Sequence, residues 1–437
     1  MTSSSYWAEH AWLGDRVADS VLIDVADGRI TALTEGAEPG GAARLRGLTV
    51  PGLANAHSHA FHRALRGHVQ RDKGTFWTWR ELMYRAADRL TPESYHELAR
   101  AVYAEMALAG VTAVGEFHYL HHAPGGIPYG DANAMGHALV QAAADAGIRI
   151  TLLDTAYLSS GFGEPPNDHQ LRFSDGTADA WAERASALKG DANTVIGAAI
   201  HSVRAVPADA LHTVATALDG PLHVHLSEQT AENEACLRAH GRTPTRLLAD
   251  HGALGPRTTA VHATHLTEED IALLGGTGTG VCMCPTTERD LADGIGPAVD
   301  VQRAGSPLSL GSDSHAVIDL LEEARAMELD ERLRTHRRGH WTAAQLLGAA
   351  TAHTALGWDD AGRIAVGAHA DFATVALDSV RTAGAGATAE AAVYAASAAD
   401  IRHTVVGGRH IVRDGVHTLI DDVPAALTAA IRQVIEA

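Results

Sequence analysis

Between residues 48 and 310 the chain repeats one pattern, a short apolar run followed by a longer stretch with helical texture. The runs are Leu48–Ala56, Thr112–Phe117, Ile148–Ala156, Thr194–Ile200, Pro221–Leu226, Thr258–Val261, Gly280–Met283 and Pro307–Leu310. Eight strand–helix units over about 260 residues match the usual size of a (β/α)8 barrel. The stretches between them carry start signals. Thr91-Pro92-Glu93 pairs an N-cap with proline at the first helical position, and Thr267 precedes three acids in the first turn, where the helix dipole favours them.

The two ends of the chain have a different texture. Val21–Val25, the turn Ala26-Asp27-Gly28 and Arg29–Leu33 predict a hairpin. After residue 363, Ala370–Leu377 and His403–Val412 read as strands. Gly407-Gly408 and Asp414-Gly415 read as turns, and Pro424–Glu436 reads as a closing helix. The expected architecture is α/β, a TIM-like (β/α)8 barrel over residues 51–363. A small β-sandwich domain is expected from residues 1–50 together with 364–437.

Composition narrows the function classes. The chain has 53 acids against 34 bases, a formal charge of −19, so it lacks the basic field that nucleic-acid binding requires. Apolar residues make up 46% of its 437 residues, enough to build a large core and to exclude disorder. Three cysteines cannot form a disulfide framework for so long a chain, and the first residues have neither a basic nor an apolar leader region. No apolar run reaches membrane-spanning length. These features predict a soluble cytoplasmic protein with no membrane or nucleic-acid partner.

Barrel enzymes carry their chemistry at the C-terminal ends of the strands. His57 and His59 follow the first predicted strand, and residues i and i+2 of a strand face one side. His225 closes the fifth, His262 the sixth, and Asp313 follows the eighth. Singly, each has an ordinary structural reading: a core histidine, or an aspartate capping a turn. Together they form a nitrogen-rich donor set at one rim, which suits one divalent ion, zinc foremost and Fe2+ second. His223, two residues deeper than His225, and His265, next to the helix cap, are expected to be structural or peripheral.

The segments PGLANAHSHAF, HVHLSEQ, AVHATH and LGSDSH resemble the amidohydrolase superfamily in its mononuclear deaminase branch. FWTWRELMYR (76–85), EFHYLHH (116–122), HSVRAV (201–206) and DGIGP (293–297) resemble, more narrowly, the members that deiminate a formimino amino acid in histidine degradation. GAHADF near residue 370 extends the likeness to nearly the whole chain. The resemblance implies His57, His59, His225 and Asp313 as ligands of one Zn2+ or Fe2+. Asp313, His262 and Glu228 would be the catalytic groups, with Glu228 as proton shuttle. His62, Arg80, Tyr119, His201 and Arg204 would bind a small anionic substrate, the two arginines holding its carboxylates. Trp77 and Trp79 would pack the lid-like segment. A homodimer is the assembly common among such relatives.

Binuclear relatives bridge two metals with a lysine on the fourth strand. Here that strand ends at His201, and the only lysines, Lys73 and Lys189, fall in polar loops or helix ends. Glu116 is then expected to hold structure rather than a second ion. Two positions depart from the pattern. His62 stands where better-known relatives have glutamine, and Arg289-Asp290 replaces an uncharged pair. The competing activity is deamination of a neutral ring such as guanine or a triazine, which would not need two arginines.

Overall fold

The computed structural model describes residues 3–70 and 76–436. Lys73 lies outside the described residues, as does the Trp77 side chain. Eight strands form a parallel barrel in sequential order: β5 (Leu53–Ser58), β6 (Val111–His118), β7 (Arg149–Ala156), β8 (Thr194–Ile200), β9 (Leu222–Leu226), β10 (Thr258–His262), β11 (Gly280–Met283) and β12 (Leu308–Leu310). The helices between them start as expected. Thr91 caps helix Pro92–Leu108 and Thr267 caps helix Glu268–Thr277, each with a reciprocal bond from the residue three positions on.

The barrel nearly closes, and it does so at the predicted ligands. Beyond the end of β12, Asp313 bridges to Ser58 in parallel register. The Asp313 N–H donates to the His57 carbonyl at 3.0 Å, and the His59 N–H donates to the Asp313 carbonyl at 3.3 Å. Gly311 permits this approach, because a Cβ there would sit 2.7 Å from the His57 Cβ and 2.9 Å from its backbone nitrogen.

A second sheet collects both chain ends. Its strands are β1 (Ser3–Trp12), β2 (Val17–Ala26), β3 (Arg29–Thr34), β4 (Ala43–Pro51), β13 (Phe372–Val375), β14 (Ile401–Val406), β15 (Arg409–Arg413) and β16 (Val416–His417). They form one mixed sheet in the order β16-β15-β14-β13-β4-β1-β2-β3, so the pairing of β4 with β13 joins the N-terminal and C-terminal parts. The predicted run Leu48–Ala56 is divided between the sheets. Its first residues end β4, Gly52 donates its N–H to the Asp371 carbonyl, and β5 then starts the barrel. Residues 48 to 56 are all buried, so hydropathy carries no mark of the break. His403–Val412 is likewise two strands, because Gly407 and Gly408 both turn at positive φ. Arg149 on β7 fixes the two sheets together through a buried pair of bonds to Asp371, at 2.7 and 3.2 Å.

Candidate active site

The strand ends bring His57, His59, His225 and Asp313 together. One ligand atom from each lies within 4.8 Å of all the others, and all four side chains are buried. His57 Nε2 and His59 Nε2 stand 3.4 and 3.3 Å from Asp313 Oδ1. His57 Nε2 is 3.0 Å from His225 Nε2.

Bond polarity tests whether this set fits a cation. His59 Nδ1 faces the Phe117 carbonyl at 3.0 Å, and His225 Nδ1 faces the His201 carbonyl at 2.9 Å. A carbonyl only accepts, so each Nδ1 carries the proton and each Nε2 presents a lone pair inward. Burial lowers the pKa of His57, His59 and His225, keeping these rings in the neutral form that binds metal. Burial would raise the Asp313 carboxyl, but His57, His262 and His59 outweigh it and hold the carboxyl far below its usual range. Neutral nitrogens and a carboxylate turned toward one point are the donor set of a divalent cation, and nitrogen-rich sets of this kind suit zinc.

His262 stands beside the ligands rather than among them. Its Nε2 is 3.6 Å from Asp313 Oδ2 and 3.9 Å from Glu228 Oε1. Its Nδ1 is 3.4 Å from Glu288 Oε1, which also accepts from the Cys284 N–H at 2.9 Å. Burial disfavours the imidazolium, but Glu228, Glu288 and Asp313 together raise the His262 pKa well above its ordinary value. Glu228 is raised chiefly by its burial. Ser227, His262, Ala263, Asp313 and His315 all adopt positive φ, so backbone strain gathers at these strand ends.

A cavity opens onto this centre, lined by His59, His225, Glu228, His262 and Asp313. The five residues expected to contact substrate, His62, Arg80, Tyr119, His201 and Arg204, line the same cavity. Arg80 donates through Nε to the Tyr84 hydroxyl at 2.9 Å. The Arg204 guanidinium forms no hydrogen bond to a described residue. His62 Nε2 pairs with the Tyr119 hydroxyl at 2.9 Å, and burial pushes the His62 pKa down to about 3, which leaves a neutral ring in place of a glutamine. Trp79 lines the cavity as well, packed edge-on against His62.

Other expected roles also have definite positions. His223 points to the Ala355 carbonyl at 2.9 Å, away from the ligands. Glu116 accepts from the Ser58 hydroxyl at 2.8 Å and the Ala60 N–H at 2.7 Å, which braces the turn that follows the ligand pair. Lys189 is exposed and donates to the Ser186 carbonyl. Arg289 turns outward to Asp330, and Asp290 accepts from Gln70, so neither reaches the cavity.

Residues not singled out from sequence also take part. Tyr84, Tyr157, Phe173 and Leu291 line the cavity, and Glu288 backs His262. Tyr84 lies within the FWTWRELMYR segment and was legible there, four residues after Arg80. Tyr157, just past the end of β7, was legible by the strand-end rule. Phe173 and Glu288 carry no such signal.

The fold and metal-binding centre are those of an amidohydrolase. The amidohydrolase family's sequence model matches residues 48–411, and the chain belongs to that family. It is 37% identical to the formimidoylglutamate deiminase of Pseudomonas aeruginosa, over 95% of this chain and 96% of the relative. The crystal structure of an amidohydrolase from Brucella melitensis matches with a TM-score of 0.90 at 32% identity, covering 99% of this chain and all of that one. The crystal structure of an adenosine deaminase from Xanthomonas campestris with bound zinc matches with a TM-score of 0.84 at 25% identity, covering 99% and 97%.

Proposed function

We propose that this chain hydrolyses N-formimino-L-glutamate to N-formyl-L-glutamate and ammonia. The observation that carries the reading is the pair Arg80 and Arg204 in one cavity with the metal-binding cluster. A neutral purine or triazine gains nothing from two guanidinium groups, whereas a dicarboxylate with a formimino group matches both ends of the cavity. Likeness to the Pseudomonas deiminase adds to it.

His57, His59, His225 and Asp313 would hold one divalent ion, zinc by its donor set, which would supply the acidification of water toward a pKa of about 7. The remaining steps belong to side chains. Asp313 accepts a proton from the attacking water through Oδ2. His262, cationic between Asp313 and Glu228, stabilises negative charge on the attacking oxygen. Water adds to the formimino carbon to give a tetrahedral intermediate. Glu228, whose pKa burial raises, relays a proton to the nitrogen. That nitrogen gains two protons, both from water, and leaves as ammonia while the oxygen becomes the formyl carbonyl. Arg80 and Arg204, with Tyr119, His201 and neutral His62, hold the carboxylates.

The test is ammonia release from N-formimino-L-glutamate, run beside N-formimino-L-aspartate and guanine. Turnover of the first far above the others is expected. Activity on guanine alone would refute the assignment while leaving the family intact.

A further inference from the structure

We propose that Tyr84 and Tyr157 are further carboxylate-binding residues, their hydroxyl protons turned into the cavity by Gln170, which acts as a positioning residue. The inference rests on the dicarboxylate reading above and adds to it a donor set on the side of the cavity formed by Arg80 and Arg204.

The argument is one of bond polarity. Gln170 is fully buried. The Asn167 N–H donates to Gln170 Oε1 at 3.0 Å. A backbone N–H cannot accept, so this end of the amide is its oxygen. The Gln170 N–H in turn donates to Asn167 Oδ1 at 3.1 Å, which locks the turn. Gln170 Nε2 must then face the other way, and it lies 2.7 Å from the Tyr157 hydroxyl and 3.1 Å from the Tyr84 hydroxyl. An amide nitrogen only donates, so both phenolic oxygens accept. Tyr84 also accepts from Arg80 Nε at 2.9 Å, another donor-only group. Both lone pairs of Tyr84 are thereby used, and its one remaining capacity is to donate.

Among the described residues neither hydroxyl proton meets an acceptor. Both tyrosines line the cavity, as do Arg80 and Arg204. Burial pushes the Tyr157 pKa up to about 12, so the phenol keeps its proton. Two hydroxyl donors beside two guanidinium groups make this side of the cavity rich in donors, while the carboxylates that line it, Glu228 and Asp313, stand with His262 at the metal-binding end. The complement of the donor-rich side is a group that only accepts, and a carboxylate is such a group.

The test uses the metal-loaded protein and its Tyr84→Phe, Tyr157→Phe and Gln170→Glu variants. Two measurements are made: steady-state kinetics with N-formimino-L-glutamate, and calorimetric binding of glutarate, a dicarboxylate without the formimino group. Each Tyr→Phe change is expected to raise KM and the glutarate Kd about 10-fold, with kcat within about twofold of wild type. Gln170→Glu presents an acceptor to both hydroxyls and draws their protons out of the cavity. It is expected to weaken glutarate at least as much as either phenylalanine variant. A merely structural role would lower the melting temperature and leave KM and Kd in place. Wild-type protein that binds glutarate through both tyrosines yet releases no ammonia refutes the substrate assignment and leaves the subsite standing. Wild-type protein that binds no glutarate, or tyrosine variants that bind it as tightly as wild type, overturns the subsite.

Discussion

Arg204→Ala separates a binding arginine from a structural one, because the chain supplies a matched control in Arg184. The Arg184 guanidinium donates five hydrogen bonds, to Asp154, Asp175 and Asn133, all between 2.8 and 2.9 Å. The Arg204 guanidinium donates none to the described residues and lines the cavity. Burial would lower the Arg204 pKa, but Glu232, Tyr157 and Glu228 outweigh it, so the charge is retained in the free protein. A charge-assisted hydrogen bond contributes about 1.5–3 kcal/mol. Losing one or two of them to a substrate carboxylate raises KM by about 10- to 10,000-fold at about 1.4 kcal/mol per factor of ten. Stability should change by less than about 1 kcal/mol, since no hydrogen bond from the guanidinium to a described residue is broken. Arg184→Ala should do the reverse. It strands two buried carboxylates and costs about 3–5 kcal/mol of stability. The assays are the KM for N-formimino-L-glutamate and the urea midpoint of both variants. An unchanged KM for Arg204→Ala removes it from the carboxylate site. A fall in stability matching that of Arg184→Ala would show that the guanidinium is structural.

Three further outcomes follow from the same geometry. Glu228→Gln should retain one metal ion per chain by elemental analysis while kcat falls about 100- to 10,000-fold; wild-type turnover would exclude Glu228 as the proton shuttle. Gly311→Ala should lower metal content, because the added methyl would lie 2.7 Å from the His57 Cβ where the barrel closes; overpacking of this kind costs about 1–3 kcal/mol, and full metal occupancy with unchanged activity would contradict the closure argument. Burial would raise the Asp154 carboxyl, but Arg184 and His121 outweigh it and hold its pKa at about 2. A depressed folded pKa contributes stability above the unfolded value and loses it as pH falls from about 4 to about 2, here about 2–3 kcal/mol. Asp154→Asn should flatten that part of the acid denaturation curve, and an unaltered slope would refute the assignment.

What was legible in the sequence and what was not divide along a physical line. Strand-end position is a property of one residue and its neighbours, so His57, His59, His225, His262 and Asp313 could be found from local pattern once a barrel was recognised. Histidine content was a poor guide by comparison. None of the three histidines in EFHYLHH belongs to the candidate metal centre. His121 meets the Thr155 carbonyl, His122 pairs with Asp175, and His118 stacks edge-on against His121. The boundary at Gly52 was hidden because both strands it joins are buried, which leaves apolar periodicity continuous across the break. The orientation of Gln170 is a deeper case. It depends on which amide end meets the Asn167 N–H, and its consequence appears at Tyr84, 86 residues earlier in the chain. Residue type alone says that a tyrosine either donates or accepts. Only the full set of partners decides which, and under the proposed function, in a protein of charge −19, this decides whether the two hydroxyls meet an anionic ligand as donors or as acceptors.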